Sequence, residues 1–398
     1  MRPRHGRRRG TLTVTAATLV TLCAAQTLTA AASASAAPVT DRATVSAHAH
    51  SATAHSATAS AVTAAQDRAA RDIARSLGDG AWSTRLRTDA LKSSEVSVTE
   101  RASGQLKSRL TAADQDIAKA KGLGTKTGPL LRLRLGDRSM RSALSAGTAP
   151  WVAAAVSDDD VTSVTAYDSQ GRAHRLDARK APTRPVYVVD VDSSKALAAG
   201  LDVLREELVK EGVRSAAPST VNTTASAAPK AAAATDGYWT TKITAVELSD
   251  DEEPWIKGAA EIYTLVSGFG QDGKVRVDPV DMPYLDYEGT VYRPNQILVN
   301  WSNYKYNLAD AVMMEEDGST NYRDLAKAIA AVLLTVTDQG TYIPLVNAIL
   351  DAIPNDWWTD DPDYVDSWYT LAQNNNGTYY GARGNGWMTV EPYFVQQF

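Results

Sequence analysis

From Gln66 to Gly122 apolar residues recur every three or four positions, as in AAQDRAARDIARSL and GQLKSRLTAADQDIAKAKGL. This spacing predicts amphipathic helices. From Leu130 the period changes to two, and LLRLRLG alternates as a half-buried strand. WVAAAVS, VTSVTAYDSQGRAHRLD and RPVYVVDVD continue the strand signal, with DSQG as a turn between two strands. SKALAAGLDVLREELVKEG then reads as one amphipathic helix ending at Gly212. The following RSAAPSTVNTTASAAPKAAAATDG has no apolar period and is rich in Ala, Ser, Thr and Pro. Such a composition is expected to act as a flexible linker.

The pattern resumes at Tyr238. YWTTKITAVEL, AEIYTLVSG, QILVNWS, AVMMEED, SWYTLAQ and WMTVEPYF are β-branched and aromatic, and read as strands. RDLAKAIAAVLLTV and IPLVNAILDAI are helical and apolar almost all round, so they are expected to lie buried against a sheet. Asn376-Gly377 and Asn385-Gly386 mark turns near the C-terminus. The expected class is α+β: N-terminal helices and a small α+β unit, then a C2-like β-sandwich with a two-helix insertion. The expected divisions are a signal peptide over 1–36, a disordered low-complexity stretch over 37–65, and an α+β domain over 66–214. A linker over 215–237 and an acidic, aromatic-rich sandwich over 238–398 follow.

Charge sharpens this division. The stretch from Asp236 to Phe398 holds 25 of the 46 acids but 9 of the 41 bases, a net of −16 in a chain of net −5. It also holds 24 of the 28 aromatic residues. Two units of separate composition are the natural inference.

The start of the chain reads as an export signal. Arg2, Arg4, Arg7, Arg8 and Arg9 precede an uncharged, mildly apolar run, and ASASAAP offers small residues for cleavage after Ala36. A membrane anchor is the competing reading, but the run is rich in Thr and Ala, which gain little from burial in lipid. The expected location is therefore secreted, by the general or the twin-arginine route. The single Cys, Cys23, lies inside the signal, so the mature chain is expected to have no thiol chemistry and no disulfide. Four of the five His residues fall in the signal or the low-complexity stretch, leaving His174 in the hairpin GRAHRLD. A Ser-His-Asp triad or a two-histidine zinc site has little to stand on.

Three acid-rich loops are the main candidate chemistry. Asp250 and Asp251 follow the strand TKITAVEL, Glu315 and Asp317 follow AVMM, and Asp361 and Asp363 precede SWYTL. Gathered carboxylates repel one another, and a hard cation with oxygen ligands removes that cost. The expectation is that these six residues meet at one end of the sandwich and bind Ca²⁺, the only cofactor anticipated. The alternative is a solvated edge that keeps the sheet soluble. The pattern is similar to C2-type sandwiches, where acidic loops at one edge hold calcium.

LLRLRLGDRSM, VTAYDSQGRAHRLD, PVYVVDVD, LSDDEEPWIKGAAEIYTLVSG, DMPYLDYEGTVYRPNQILVNWSNYKY, EEDGSTNYRDL and DDPDYVDSWYTL together resemble the bacterial family DUF3103. The resemblance covers roughly Leu123 to Tyr393. It implies a bacterial exported protein and brings no activity with it. The expected function is a binding or interaction module whose ligand is a carbohydrate or an envelope component. NWSNYKYN and QNNNGTYYG are the candidate aromatic faces. A carboxylate-based hydrolase acting on carbohydrate, or a structural envelope protein, are the alternatives. Neither nucleic acid as a partner nor a spanning helix in the mature chain is expected.

Overall fold

Small residues open the fold. The structure, a computed structural model, describes residues 60–156, 161–216, 237–249, 255–257, 261–316, 318, 320–353 and 364–396. Residues 60–76 form α1, which buries Val62, Ala65, Ala69, Ala70, Ile73 and Ala74 along one stripe. Residues 60–65 therefore belong to the helix and not to the low-complexity stretch, because Val62 and Ala65 reach the core. The expected signal and residues 37–59 lie outside the described residues.

α2 (Gly80–Lys92) is capped by Asp79, whose side chain accepts from the N–H groups of Ala81 and Trp82. α3 (Val98–Arg101) and α4 (Gly104–Ala120) follow. The first sheet has six strands: β1 (Glu95–Ser97), β2 (Leu131–Leu135), β3 (Trp151–Ala154), β4 (Ser163–Tyr167), β5 (Ala173–Asp177) and β6 (Val186–Val191). Their order is β1-β2-β6-β3-β4-β5, antiparallel except for β3 on β6. The short α5 (Arg141–Ser145) precedes β3. α6 (Ser193–Glu211) ends where Gly212 takes φ 104°, the left-handed position that glycine occupies without strain.

The second half is a sandwich of two four-stranded antiparallel sheets. One joins β7 (Gly237–Leu248), β10 (Gln296–Asn300), β13 (Gly377–Tyr380) and β14 (Gly386–Gln396) in the order β10-β7-β14-β13. The other joins β8 (Ile262–Phe269), β9 (Val275–Asp281), β11 (Leu308–Glu315) and β12 (Tyr364–Ala372) in the order β12-β11-β8-β9. Ile243, Val246 and Val390 of the first share a core with Val266, Ala311 and Trp368 of the second. α7 (Tyr322–Leu333) and α8 (Val346–Ala352) lie between β11 and β12 in the chain, as the two apolar helices anticipated there. The class is α+β.

The halves differ in composition but share a core. All eight positions of β8 are buried. Alternation sends Ile262 and Val266 into the sandwich, and Tyr263 and Leu265 to the opposite face. On that face Tyr263, Leu265, Val312 and Met314 join Leu197, Leu201 and Leu204 of α6, Ile329 of α7 and the N-terminal helices in one cluster. Just past α6, the Arg214 carbonyl accepts from Val277 N–H and the Arg214 N–H donates to Val275, which adds a short parallel bridge along β9. Residues 217–236, most of the expected linker, lie outside the described residues.

Two close approaches fasten this seam. At Gly200 on α6 a Cβ would lie 2.2 Å from the Tyr322 ring, so only glycine lets α7 pack so near. At Gly136 a Cβ would lie 2.6 Å from the Trp255 ring. Arg134 also donates to the carbonyls of Trp255, Ile256 and Lys257. Trp255 and Ile256 dock on the first sheet, beside Val188.

Between these points lies a buried ion pair. Lys121 Nζ meets Glu316 Oε1, and the Tyr322 hydroxyl donates to Glu316 Oε2; the Lys121 and Glu316 side chains are both fully buried. Removing one partner strands the other charge, which costs about 3–5 kcal/mol. Lys121→Met or Glu316→Gln alone is expected to destabilise the protein by about that much, read by urea titration. The double variant Lys121→Met/Glu316→Leu is expected to recover most of the loss. A loss in the single variants near zero would show that the pair does not hold the halves together.

Candidate functional site

α4 carries an acid in its apolar stripe. Leu110, Ala113, Asp114 and Ile117 are its buried positions, at the spacing that faces a core. Asp114 is 4 % exposed. Its Oδ1 accepts from the N–H groups of Leu130 (2.8 Å) and Leu131 (2.7 Å), which ties the helix to the start of β2. Its Oδ2 has no hydrogen-bond partner among the described residues. A buried acceptor left unpaired costs about 1–3 kcal/mol.

Asp114 stands on the wall of a cleft of about 660 Å³. One side is α4, with Thr111, Ala118 and Lys119; the floor is the 122–129 loop, with Leu123 and Pro129; the far side is the first turns of α7, with Asn321, Arg323 and Lys327. Gly122 and Gly128 hold φ of 69° and 74°, which bends the loop around the cleft. The opposite side is fixed by its own bonds. Asn321 Oδ1 accepts from Arg323 and Asp324 N–H, and its Nδ2 donates to the Ala120 carbonyl at 2.8 Å. Arg323 Nε donates to the Gly122 carbonyl at 2.8 Å while Nη1 meets Glu207. The cleft thus sits on the seam, one residue from the buried Lys121. A concave site of this volume with a few convergent polar groups is the usual form of a small-molecule site.

Of the six residues expected to bind Ca²⁺, only Glu315 is described. Asp250, Asp251, Asp317, Asp361 and Asp363 lie outside the described residues. The strand ends that flank them come together. Glu315 stands opposite Ile262, and Met314 stands opposite Tyr364. Leu248 stands opposite Gly386, whose N–H donates to Asp366 on β12. Among the described residues no group of three or more His, Cys, Asp or Glu is placed to hold a metal ion.

Asp366, three residues after Asp363, is a buried residue inside β12. Its carboxylate accepts N–H bonds from Ser367, Arg383, Asn385 and Gly386, so it fastens the turn before β14. The aromatic candidates divide. Trp301 and Tyr304 of NWSNYKYN are core, while Tyr380 of QNNNGTYYG is 76 % exposed. His174 is half-buried, stacked on Trp151 at 4.0 Å between ring centres and 3.1 Å from Asp168. Among the described residues no helix is long and apolar enough to cross a membrane.

A second group of carboxyls stands at the α6 end of the seam. Glu261 Oε1 accepts from Ser193 Oγ (3.0 Å) and Ser194 Oγ (2.6 Å). Burial pushes its carboxyl up to about 7, opposed by the two serine bonds and helped by the charges of Asp286 and Asp281. Burial also raises Asp281 and Asp286.

The sequence reading passed over Asp114 and Glu261. An Asp four after Leu110 and three before Ile117 was a visible signal, since it interrupts an apolar stripe. Glu261 had none, because its burial comes from α6, more than sixty residues away in the chain.

Comparison with known proteins adds a family. Residues 66–398 match the model of a family described as a protein of unknown function, DUF3103. No curated protein and no solved structure matches the chain.

The raised Glu261 has a consequence for stability. The folded state favours its protonated form, so its contribution is fully present below pH 4.5 and is lost as pH rises through about 7. Across that window the loss is of order 3 kcal/mol. Glu261→Gln keeps an acceptor for the serines and cannot ionise. It is expected to match the parent protein near pH 4.5 and to exceed its melting temperature at pH 8. Parallel melting curves for the two proteins over this range would refute the assignment.

Proposed function

Since the chain belongs to the DUF3103 family, whose description assigns no activity, we propose from its geometry that it is a binding module for a small organic molecule, with the cleft between α4, the 122–129 loop and α7 as the site. The observation that carries this reading is a concave cleft of about 660 Å³ walled by α4, the 122–129 loop and α7, with the buried Asp114 among its lining residues. Asn321 and Arg323 bond the α4 terminus and Asp114 bonds the start of β2, so these walls hold their shape. A carboxylate hydrolase has less support. Asp114 is committed to the β2 backbone, and Asp324, the other carboxyl that lines the cleft, stands 3.7 Å from Lys327.

The test is a thermal-shift screen of small amines, amino acids, sugars and sugar acids, repeated on a variant whose cleft is filled. Gly124 suits this purpose, because a Cβ there meets nothing within 4 Å and the residue lines the cleft. Ligands that stabilise the parent protein are expected to lose their effect in Gly124→Phe. Ligands that stabilise both proteins equally would place binding elsewhere.

A second reading keeps calcium at the acidic end of the sandwich. It is favoured by the strand ends that bring Glu315, Ile262, Tyr364 and Leu248 to one side of the fold. Export, read from the basic and apolar start of the chain, would supply the compartment where Ca²⁺ is abundant. Millimolar Ca²⁺ at a hundredfold excess over its dissociation constant is expected to add about 2.7 kcal/mol. An unchanged melting temperature on adding Ca²⁺ or a chelator would leave the acids as a solvated edge.

A further inference from the structure

The motif LLRLRLGDRSM runs out of β2, and its end carries charge that neither the cleft nor the seam uses. Arg138–Met140 form a 3-10 turn that leads into α5, and Met140 and Leu144 are the buried positions of this stretch. Arg138, Arg141, Ser142 and Ser145 fall at i, i+3, i+4 and i+7, which puts them together on the outer face. All four are exposed. With Ser139 and Leu91 they line an open concavity of about 610 Å³.

This lining offers donors and no carboxylate. Arg141 donates to the Leu91 carbonyl in the last turn of α2, which holds its guanidinium at the wall and leaves its other N–H groups to spare. Arg138 makes no ion pair among the described residues. Asp137 and Asp89, the acids of these two elements, are engaged. Asp137 accepts from the Ser139 N–H at 2.7 Å and from its hydroxyl, and Asp89 pairs with Arg101 at 3.4 Å. The Ser142 and Ser145 hydroxyls have no partner among the described residues.

Like charges three residues apart on a helical face repel, and nothing of opposite sign stands between these two. A tetrahedral oxyanion relieves that repulsion. The guanidinium fork matches two of its oxygens, and hydroxyls donate to the others. The backbone takes no part, since the Ser139 N–H goes to the Asp137 side chain and the Met140 N–H to the Asp137 carbonyl.

We propose that this concavity binds a phosphate or sulfate group, free or as the monoester of a larger molecule, held by Arg138 and Arg141. It shares no residue with the cleft beside α4 and stands independently of that reading.

The test uses the intact protein in a buffer without phosphate or sulfate, with ionic strength fixed by chloride. Inorganic phosphate, sulfate and phenyl phosphate are titrated by calorimetry, with phenol as the uncharged control. The anions are expected to bind and phenol is not. Phenyl phosphate binding as tightly as phosphate would assign the monoester, and phosphate binding without it would assign the free ion. Arg138→Gln breaks no bond of the fold and is expected to weaken binding about tenfold or more, the worth of a hydrogen bond to a charged group. Arg141→Gln is expected to do at least as much, and Ser142→Ala/Ser145→Ala to weaken binding severalfold. Lys274→Gln, which removes an exposed cation from the second half, is expected to change nothing.

No binding of any of the three anions above the chloride background would overturn the proposal. So would a loss in Arg138→Gln that Lys274→Gln matches, since a diffuse positive field and not a site would then be responsible.

Discussion

The contact between Lys121 and Glu316 is the constraint on which the arrangement turns. An ammonium and a carboxylate taken wholly out of water are costly unless each finds the other and the remaining oxygen finds a donor. Tyr322 supplies that donor, and its ring lies against Gly200 of α6. The pair therefore sets three things together: where α4 ends, where β11 ends and how α7 begins. α4 stops at Ala120, and Gly122 turns the chain. The cleft is what remains between the two elements that the pair holds apart and in register.

The energetics of the seam have two parts. Most of the driving force is the apolar cluster shared by α6, α7, the N-terminal helices and one face of the β8–β11 sheet. That cluster is non-directional and would accept small slides. The directional part comes from Lys121–Glu316, from Arg134 on the carbonyls of residues 255–257, and from the bonds of Asn321 and Arg323 to the α4 terminus. These bonds select one register among the packings that the apolar surface allows. Asp114 Oδ2, buried beside this seam, has no hydrogen-bond partner among the described residues. Glu261 is also raised by its place on this seam, beneath the first turn of α6.

Local pattern determined much of this protein. The period of three to four up to Gly122, the change to two at Leu130, and the helix closed by Gly212 all follow from side-chain geometry within one element. The two helices between β11 and β12 were legible as helices, but each buries one face only, with Lys327, Ala331, Asn347 and Asp351 left exposed. The family was legible too, as a string of motifs. The alternating β9, VRVDPVD, was within reach of the same rule and was passed over.

What the tertiary structure alone decided is which of these elements share a core. Composition divides the chain near residue 236, yet one apolar cluster crosses that line. Packing depends on which faces meet, and a sequence records faces without naming their partners. Asp366 shows the same limit: it reads as a loop acid, and only β14, folded back against β12, makes it a buried anchor for four N–H groups. Trp255 belongs to the second half by sequence, and only the space left at Gly136 seats it on the first sheet. Asp114 stood in plain view on an apolar stripe. That one of its oxygens is satisfied and the other is not depends on a loop, a strand start and a helix far along the chain, and no local rule contains them.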